Sequence, residues 1–547
     1  ALNTDALSNQ DNCGPERVAY LRGQSANTGT GTFTCSLGNP TTPSTIMKFR
    51  TRDVSVLGDV IDSNPVYVGA PAAGYSNVGH PGYSTFQSNF KDRKPVVYVG
   101  ANDGMLHGID ASVAWIDTNP AVDSDGDGNL TNDRDVPVPT ADAGKEVIAY
   151  VPSMVYSNLS RLTDSNYKAN GSHRYFVDSS PMVADVCTAS CTVSSAVWES
   201  ILVSGLGAGG KGFFALNVTN PDVAAHDTAN TPQFSVARAS NIVLWEFKDD
   251  ADLGFTFNNS PTNMNNSQAK QIAKFENGRW GVVLGNGYNS ADGKAVLYVL
   301  FVQGPTGSGG AWQAGGVDYV KIVADAPVAK DNGLSAPMPF DSDGDGLVDT
   351  VYAGDLKGNM WKFNLSSTNA ASWTSASLLF VAKDGLGNLQ PIINTPEVTL
   401  HPTAGNMVLF GTGKFLETGD ATSTSVQTFY GIQDAGSTVS GRGDLIPQTI
   451  LASRKVTQGC GTSPLPACPT APKGWYADLP TSGERATGTA KLVSGNIFFN
   501  TFIPSTSPCE FGGTGWQMAL DYLTGAMPSP GIFDTNNDGV VNSLDTA

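Results

Sequence analysis

The sequence predicts an all-β chain, a β-propeller of about seven blades with long loops between its strands. Three observations carry this. A hairpin signature recurs along the chain, a proline opens the strand ahead of several copies, and composition favours strands and turns over surface helices. The 547 residues include 61 glycines, and only 15% are charged.

The clearest copies of the hairpin are "VVYVGANDGMLHGID" at Val96 and "TVYAGDLKGNMWKFNL" at Thr350. Each is a β-rich apolar run, a turn built on Asn or Asp with Gly, then an alternating run. Looser copies begin at Ile201, Gly281, Met407 and Asn496. Ahead of several stands a small polar residue and a proline: "DSNPVYV" at Asp62, "SPMVADV" at Ser180, "LSAPMPF" at Leu334 and "NTPEVTL" at Asn394. Proline is tolerated where a strand begins, because the missing N–H costs least there. Each unit therefore reads strand, hairpin loop, strand, turn, strand. Six units and an early strand near Asp59 give the blade count. A pair of β-sandwiches would not repeat one hairpin. "MVYSNLSRL" from Met154 is the one short helix expected. The domain reading is an extended N-terminal arm over 1–50, a propeller over 51–525, and a tail over 526–547.

The net charge of −18 excludes nucleic acid and anionic membrane surfaces as partners, since both need lysine and arginine to displace counterions. Divalent cations suit such a chain. No apolar run is long enough to span a bilayer. The chain opens on Ala1, which reads as a piece of a longer protein, so the lack of a signal peptide says nothing about secretion.

Seven cysteines fall into local groups: Cys13 with Cys35, Cys187 with Cys191, Cys460 with Cys468, then Cys509. Spacings such as "CTASC" and "CGTSPLPAC" can close as disulfides, with buried free thiols as the alternative. Zinc lacks a second pair or a nearby histidine. Cys509 either joins the Cys460 group or stays free. An oxidising compartment fits best.

"DSDGDGLVD" lies in the hairpin between the first two strands of its unit, where the unit at Ser179 has Cys187 and Cys191 and the unit at Thr395 has only "HPTAGN". Four aspartates in one hairpin repel unless a cation joins them. Calcium takes six to eight oxygens, and alternating loop positions wrap one ion. Asp341, Asp343 and Asp345 offer carboxylates, Leu347 its carbonyl, and Asp349 closes the ring, with Gly346 at the sharp turn. A solvated acidic loop is the alternative, and magnesium demands a stricter octahedron. "DTNNDGVVNSLD" places Asp534, Asn536, Asp538, Val540, Asn542 and Asp545 in a twelve-residue calcium-loop pattern that resembles dockerin loops. "DSDGDGNLTNDRD" offers Asp123, Asp125, Asp127, Asn129 and Asp133; calcium and a metal-free acidic insertion are both open there.

Catalytic readings find little support. "GLGAGGKG" at Gly205 has the look of a phosphate loop, but Gly212 stands where Ser or Thr would hold Mg²⁺, and strands flank it. Neither H-E-x-x-H nor G-x-S-x-G occurs, and the five histidines show no metal spacing. His107 and His173 read as structural. "GRGDL" contains Arg442, Gly443 and Asp444, a tripeptide that binds integrins when exposed and that also arises by chance.

"VYVGANDGMLHGID" resembles blades of quinoprotein dehydrogenases, which stack their quinone on adjacent cysteines. No Cys-Cys pair occurs here, so this resemblance implies a modified, quinoprotein-like propeller without the cofactor. Over about residues 55–525 the chain also resembles the C-terminal propeller of the PilC/PilY family of type IV pilus tip-associated proteins. The resemblance is carried by "EVIAYVPSMVYSNLSRL", "HRYFVD" with the Ser179, Ser180 and Pro181 that follow it, "VSGLGAGGKGFFALNVTNP", "GNGYNS", "NGLSAP", "DTVYAGDLKGNMWKFNL", "FGTGKFLE" and "QTFYGI". It implies a non-enzymatic protein with calcium at Asp341, Asp343, Asp345, Leu347 and Asp349. It further implies roles in pilus biogenesis by opposing retraction, in adhesion and in twitching motility. The implied partners are major and minor pilins and host or abiotic surface receptors. The implied location is extracellular, at the pilus tip, reached through the periplasm and outer membrane. A carbohydrate-binding propeller adhesin without a biogenesis role is the alternative, and a periplasmic enzyme a third; glycan binding and cofactor absorbance would tell them apart.

Overall fold

The computed structural model describes residues 2, 11–36, 45–116, 136–167, 173–221, 234–258, 268–462, 465, 467–505, 512–528, 532–533 and 541. They form two compact units, one of residues 1–249, 255–257 and 264–268, the other of 250–254, 258–263 and 269–547.

The first unit holds two four-stranded antiparallel sheets. One runs Val66–Val68, Val96–Gly100, Leu106–Asp110, Glu146–Tyr150, and the next Met182–Ala189, Val197–Gly205, Phe213–Asn217, Val243–Phe247. Within each sheet the strands follow one another in chain order, the up-and-down order of a propeller blade, except that a small hairpin of Val113–Ile116 with Val136–Pro139 interrupts the first sheet between its third and fourth strands. The Pro-opened segments begin both sheets, as expected. The early strand is Val66–Val68; it pairs with Val96–Tyr98 and is the first strand of the first sheet, not a blade of its own.

The second unit repeats the order. The third sheet is Ile272–Lys274, Trp280–Gly285, Ala295–Phe301, Tyr319–Asp325; the fourth is Met338–Phe340, Thr350–Gly354, Asn359–Asn364, Ala376–Val381. In the fifth, Glu397–Leu400, Asn406–Gly411, Thr428–Asp434 and Gly474–Asp478 gain two further strands, Ile446–Ile450 and Val456–Gln458. The sixth has three strands, Lys491–Val493, Asn496–Asn500 and Gln517–Asp521. Six blade-like sheets thus stand among the described residues. Central strands such as Ala295–Phe301 are buried along their whole length, which explains their unbroken apolar sequence. Phe275, Val283, Leu297, Val299, Val351, Phe363 and Trp373 join the third and fourth sheets in one apolar core.

The N-terminal stretch is not the extended arm its Asn, Thr, Gly and Ser content suggested. It contains helix α1 (Gly14–Leu21) and a hairpin of Thr32–Thr34 with Thr45–Met47. Cys13, Cys35, Tyr20 and Phe49 are buried there, and Arg17, 2% exposed, bonds Asp11 at 2.7 Å and Thr163 Oγ1 at 3.3 Å. Disulfide stapling and one buried ion pair replace the long apolar pattern that would have announced a fold. The "MVYSNLSRL" helix is a 3₁₀ run, Ser153–Thr163, and a helix without a sequence signal, α2 (Tyr83–Asn89), also forms. Among the described residues no helix is long and apolar enough to cross a membrane.

Candidate metal centre

Residues 341–349 connect the first two strands of the fourth sheet, whose last paired residues are Phe340 and Thr350. At the far end of the loop Val348, 8% exposed, enters the core shared by the third and fourth sheets, and its N–H donates to the Lys274 carbonyl at 2.9 Å. Apolar packing therefore pins one end of a segment that charge alone would drive open.

Within the loop, backbone N–H groups orient Asp341, Asp345 and Asp349. Asp341 accepts from the N–H groups of Gly344 and Gly346 at 2.7 and 2.8 Å. Asp345 accepts from Leu347 N–H at 2.8 Å, and Asp349 Oδ2 from Ser342 N–H at 3.0 Å. Gly344 and Gly346 take φ of +81° and +89°, the left-handed region in which glycine carries no Cβ penalty.

Carboxylate oxygens of Asp341, Asp343 and Asp349 lie within 4.8 Å of one another. Oxygens so spaced can share one calcium ion at about 2.4 Å from each. Asp349 is 7% exposed, and its Oδ1 is buried without a hydrogen-bond partner. An orphaned carboxylate oxygen costs more than the ~1–3 kcal/mol of a neutral group, and a cation is its natural partner. The donor set is all oxygen, which suits a hard cation and not zinc.

The structure adds a residue that motif reading missed. Glu276, on the turn between Ile272–Lys274 and Trp280–Gly285, brings a carboxylate oxygen within 4.8 Å of those of Asp343 and Asp345. Desolvation, and then the charges of Asp345, Asp343, Asp349 and Asp341, hold its carboxyl above the ordinary glutamate range. It stands 65 residues before the loop, so only the pairing of sheets could have pointed to it.

The other predicted sites divide. The Asp123, Asp125, Asp127, Asn129, Asp133 loop, the Asp534, Asn536, Asp538, Val540, Asn542, Asp545 loop and Cys509 lie outside the described residues. Cys13–Cys35, Cys187–Cys191 and Cys460–Cys468 are disulfides, the second closing the loop of the second sheet that corresponds to 341–349 in the fourth. The glycine-rich stretch after Gly205 is a blade turn with strands on both sides; a Cβ on Gly209 would fall 1.8 Å from the Phe176 carbonyl oxygen.

Arg442, Gly443 and Asp444 form one 3₁₀ turn, but Arg442 is not offered to a receptor. Its guanidinium bonds both oxygens of Asp478 at 2.7 and 2.9 Å, reaches Thr428 Oγ1, and lies 4.4 Å over the Tyr476 ring. Burial works against its charge, and Asp478 and Tyr430 together outweigh burial. That engagement weighs against the integrin reading, because the cation already serves the fifth sheet. His107 is buried and bridges Asp103 at 3.1 Å and Glu146 at 2.5 Å.

A second acidic feature carries no sequence motif of its own. Asp178, 1% exposed, accepts from Asp62 N–H at 3.4 Å, and its Oδ2 is buried without a partner. Burial first, and the nearby Asp62 carboxylate second, push its carboxyl up to about 7.

With the geometry in place, comparison with known proteins is decisive. Residues 57–455 match the PilY1 β-propeller domain. The chain belongs to the PilY1 β-propeller family. The type IV pilus biogenesis factor PilY1 of Pseudomonas aeruginosa strain PAK is 32% identical over 99% of this chain and 43% of its own length. A PilY1 homolog of Xylella fastidiosa strain Temecula1 is 34% identical over 86% of this chain and 29% of its own. The chain thus spans less than half of these relatives. The crystal structure of the Pseudomonas aeruginosa PilY1 C-terminal domain is similar with a TM-score of 0.60 and 29% identity, covering 87% of this chain and 89% of that one. The fold is accordingly an all-β propeller.

Proposed function

We propose that this chain is the calcium-binding propeller region of a type IV pilus biogenesis factor. The carrying observation is the family match over residues 57–455, since the relatives it joins bear that name. On this reading the protein works by binding and assembly, not catalysis. It sits at the pilus tip on the cell surface, meets major and minor pilins, opposes retraction, and supports adhesion and twitching. Three disulfides suit a route through an oxidising periplasm.

Asp341, Asp343, Asp345 and Asp349, with the Leu347 carbonyl, would hold the ion. Calcium supplies two positive charges where four carboxylates from one hairpin repel. The chain's own residues then do the rest. Val348 keeps the loop seated on the core, and the strands Met338–Phe340 and Thr350–Gly354 carry a tightened or loosened loop into the blade.

The test is genetic. A strain lacking the gene should recover surface pili, tip labelling and twitching when the full-length protein is returned, and recover them poorly with Asp343→Ala. Normal piliation and motility in the deletion strain would contradict the assignment.

A further inference from the structure

We infer that Glu276 is a further ligand-shell residue of the 341–349 loop, so that a cation held there clips the third sheet to the fourth. The inference rests on the calcium reading above and adds a residue that no loop motif contains.

Two backbone links set the turn 275–279 beside the loop. Phe275 forms an isolated parallel bridge with Val348, and the Val348 N–H donates to the Lys274 carbonyl at 2.9 Å. Phe275 is fully buried in the same apolar core as Val348, so the position of Glu276 follows from packing and not from its charge. Packing then places Glu276 where its strongest charged neighbours, Asp345, Asp343, Asp349 and Asp341, all share its sign. Among the described residues Glu276 has no ion-pair partner. Asp349, 7% exposed, has an oxygen with no partner and belongs to the adjoining group with Asp341 and Asp343, so Asp343 is common to the two groups. Two adjacent sheets thus hold like charges against each other at one point. A divalent cation reached by Asp343, Asp345 and Glu276 oxygens turns that repulsion into a crosslink. The ligand is a hard cation, and its affinity rises with each carboxylate in the shell.

Calcium is titrated by calorimetry into the chain and into its Glu276→Gln variant, and amide hydrogen exchange is followed with and without calcium. The variant keeps the side chain's size and removes one negative charge. We expect its calcium dissociation constant to rise about tenfold. Calcium should also protect the amides of 275–279 in the parent chain and not in the variant, while 341–349 is protected in both. Unchanged affinity in the variant overturns the inference. So does weaker affinity with protection of 275–279 retained, because a remote charge would then suffice. A parent chain that binds no calcium instead refutes the reading on which the inference rests.

Discussion

Replacing Asp178 with asparagine should stabilise the protein at neutral pH and do nothing in acid. Asp178 is 1% exposed, with one oxygen unpartnered and Asp62 as its charged neighbour. Its carboxyl is raised to about 7 in the fold. In the unfolded chain it returns to about 3.9. Between those values the folded state holds a proton that the unfolded state has released. The unfolded state therefore binds fewer protons, and stability falls as pH rises through the window from about 4 to 7. A gap of about three pKa units corresponds to ~4 kcal/mol at most. Allowing for relaxation around the buried charge, the expected loss is about 2 to 4 kcal/mol. Asparagine cannot ionise, so Asp178→Asn avoids this loss. Urea unfolding of both proteins should give equal stability near pH 4 and a variant more stable by that amount at pH 8. Titrating groups remote from Asp178 cancel in the difference. A difference that does not grow with pH, or a variant weaker at pH 8, would refute the reasoning.

Other consequences are simpler to check. The Cys187–Cys191 link has a sequence separation of 4, so its chain-entropy contribution is about 2 kcal/mol, against about 3 for Cys13–Cys35 with a separation of 22. Mass spectrometry of unreduced peptides should recover both links, and a double Cys187→Ser, Cys191→Ser variant should unfold earlier in urea by the smaller amount. Arg442→Ala strips Asp478 of its partner in a partly exposed site and should cost about 1–2 kcal/mol in the same assay. Asp444→Glu should leave host-cell adhesion unchanged, because the arginine of the tripeptide is already engaged; loss of adhesion would reinstate the integrin reading.

What could be read in advance was local. Turn chemistry at Asn102–Gly104 and Asp355–Gly358, alternating apolar runs and the proline that opens four of the six first strands all lie within a short window, and all became parts of blade hairpins. The outer strands Glu146–Tyr150, Val243–Phe247, Tyr319–Asp325 and Ala376–Val381 were missed. They stand on half-buried edges, so their apolar pattern is weak, and three of the four follow long connections. Helix α1 was missed because its stability comes from a disulfide, the Arg17–Asp11 pair and a few buried side chains. At the candidate site the aspartate spacing was legible because one loop supplies it. Glu276 and the Asp62–Asp178 pair were not, since each joins residues that only the folded sheets bring together.

Whether 341–349 is a calcium loop or a bare acidic turn decides the rest. Calorimetric titration of calcium into the chain and its Asp343→Ala variant, with circular dichroism of both, tests this directly. The calcium reading predicts a site in the parent with a dissociation constant between about 10⁻⁷ and 10⁻³ M. It predicts that this site vanishes from the variant while the β-sheet spectrum is unchanged. Identical isotherms for the two proteins would contradict the ligand assignment, and an unfolded variant would contradict the claim that the loop hangs on a core that stands without it.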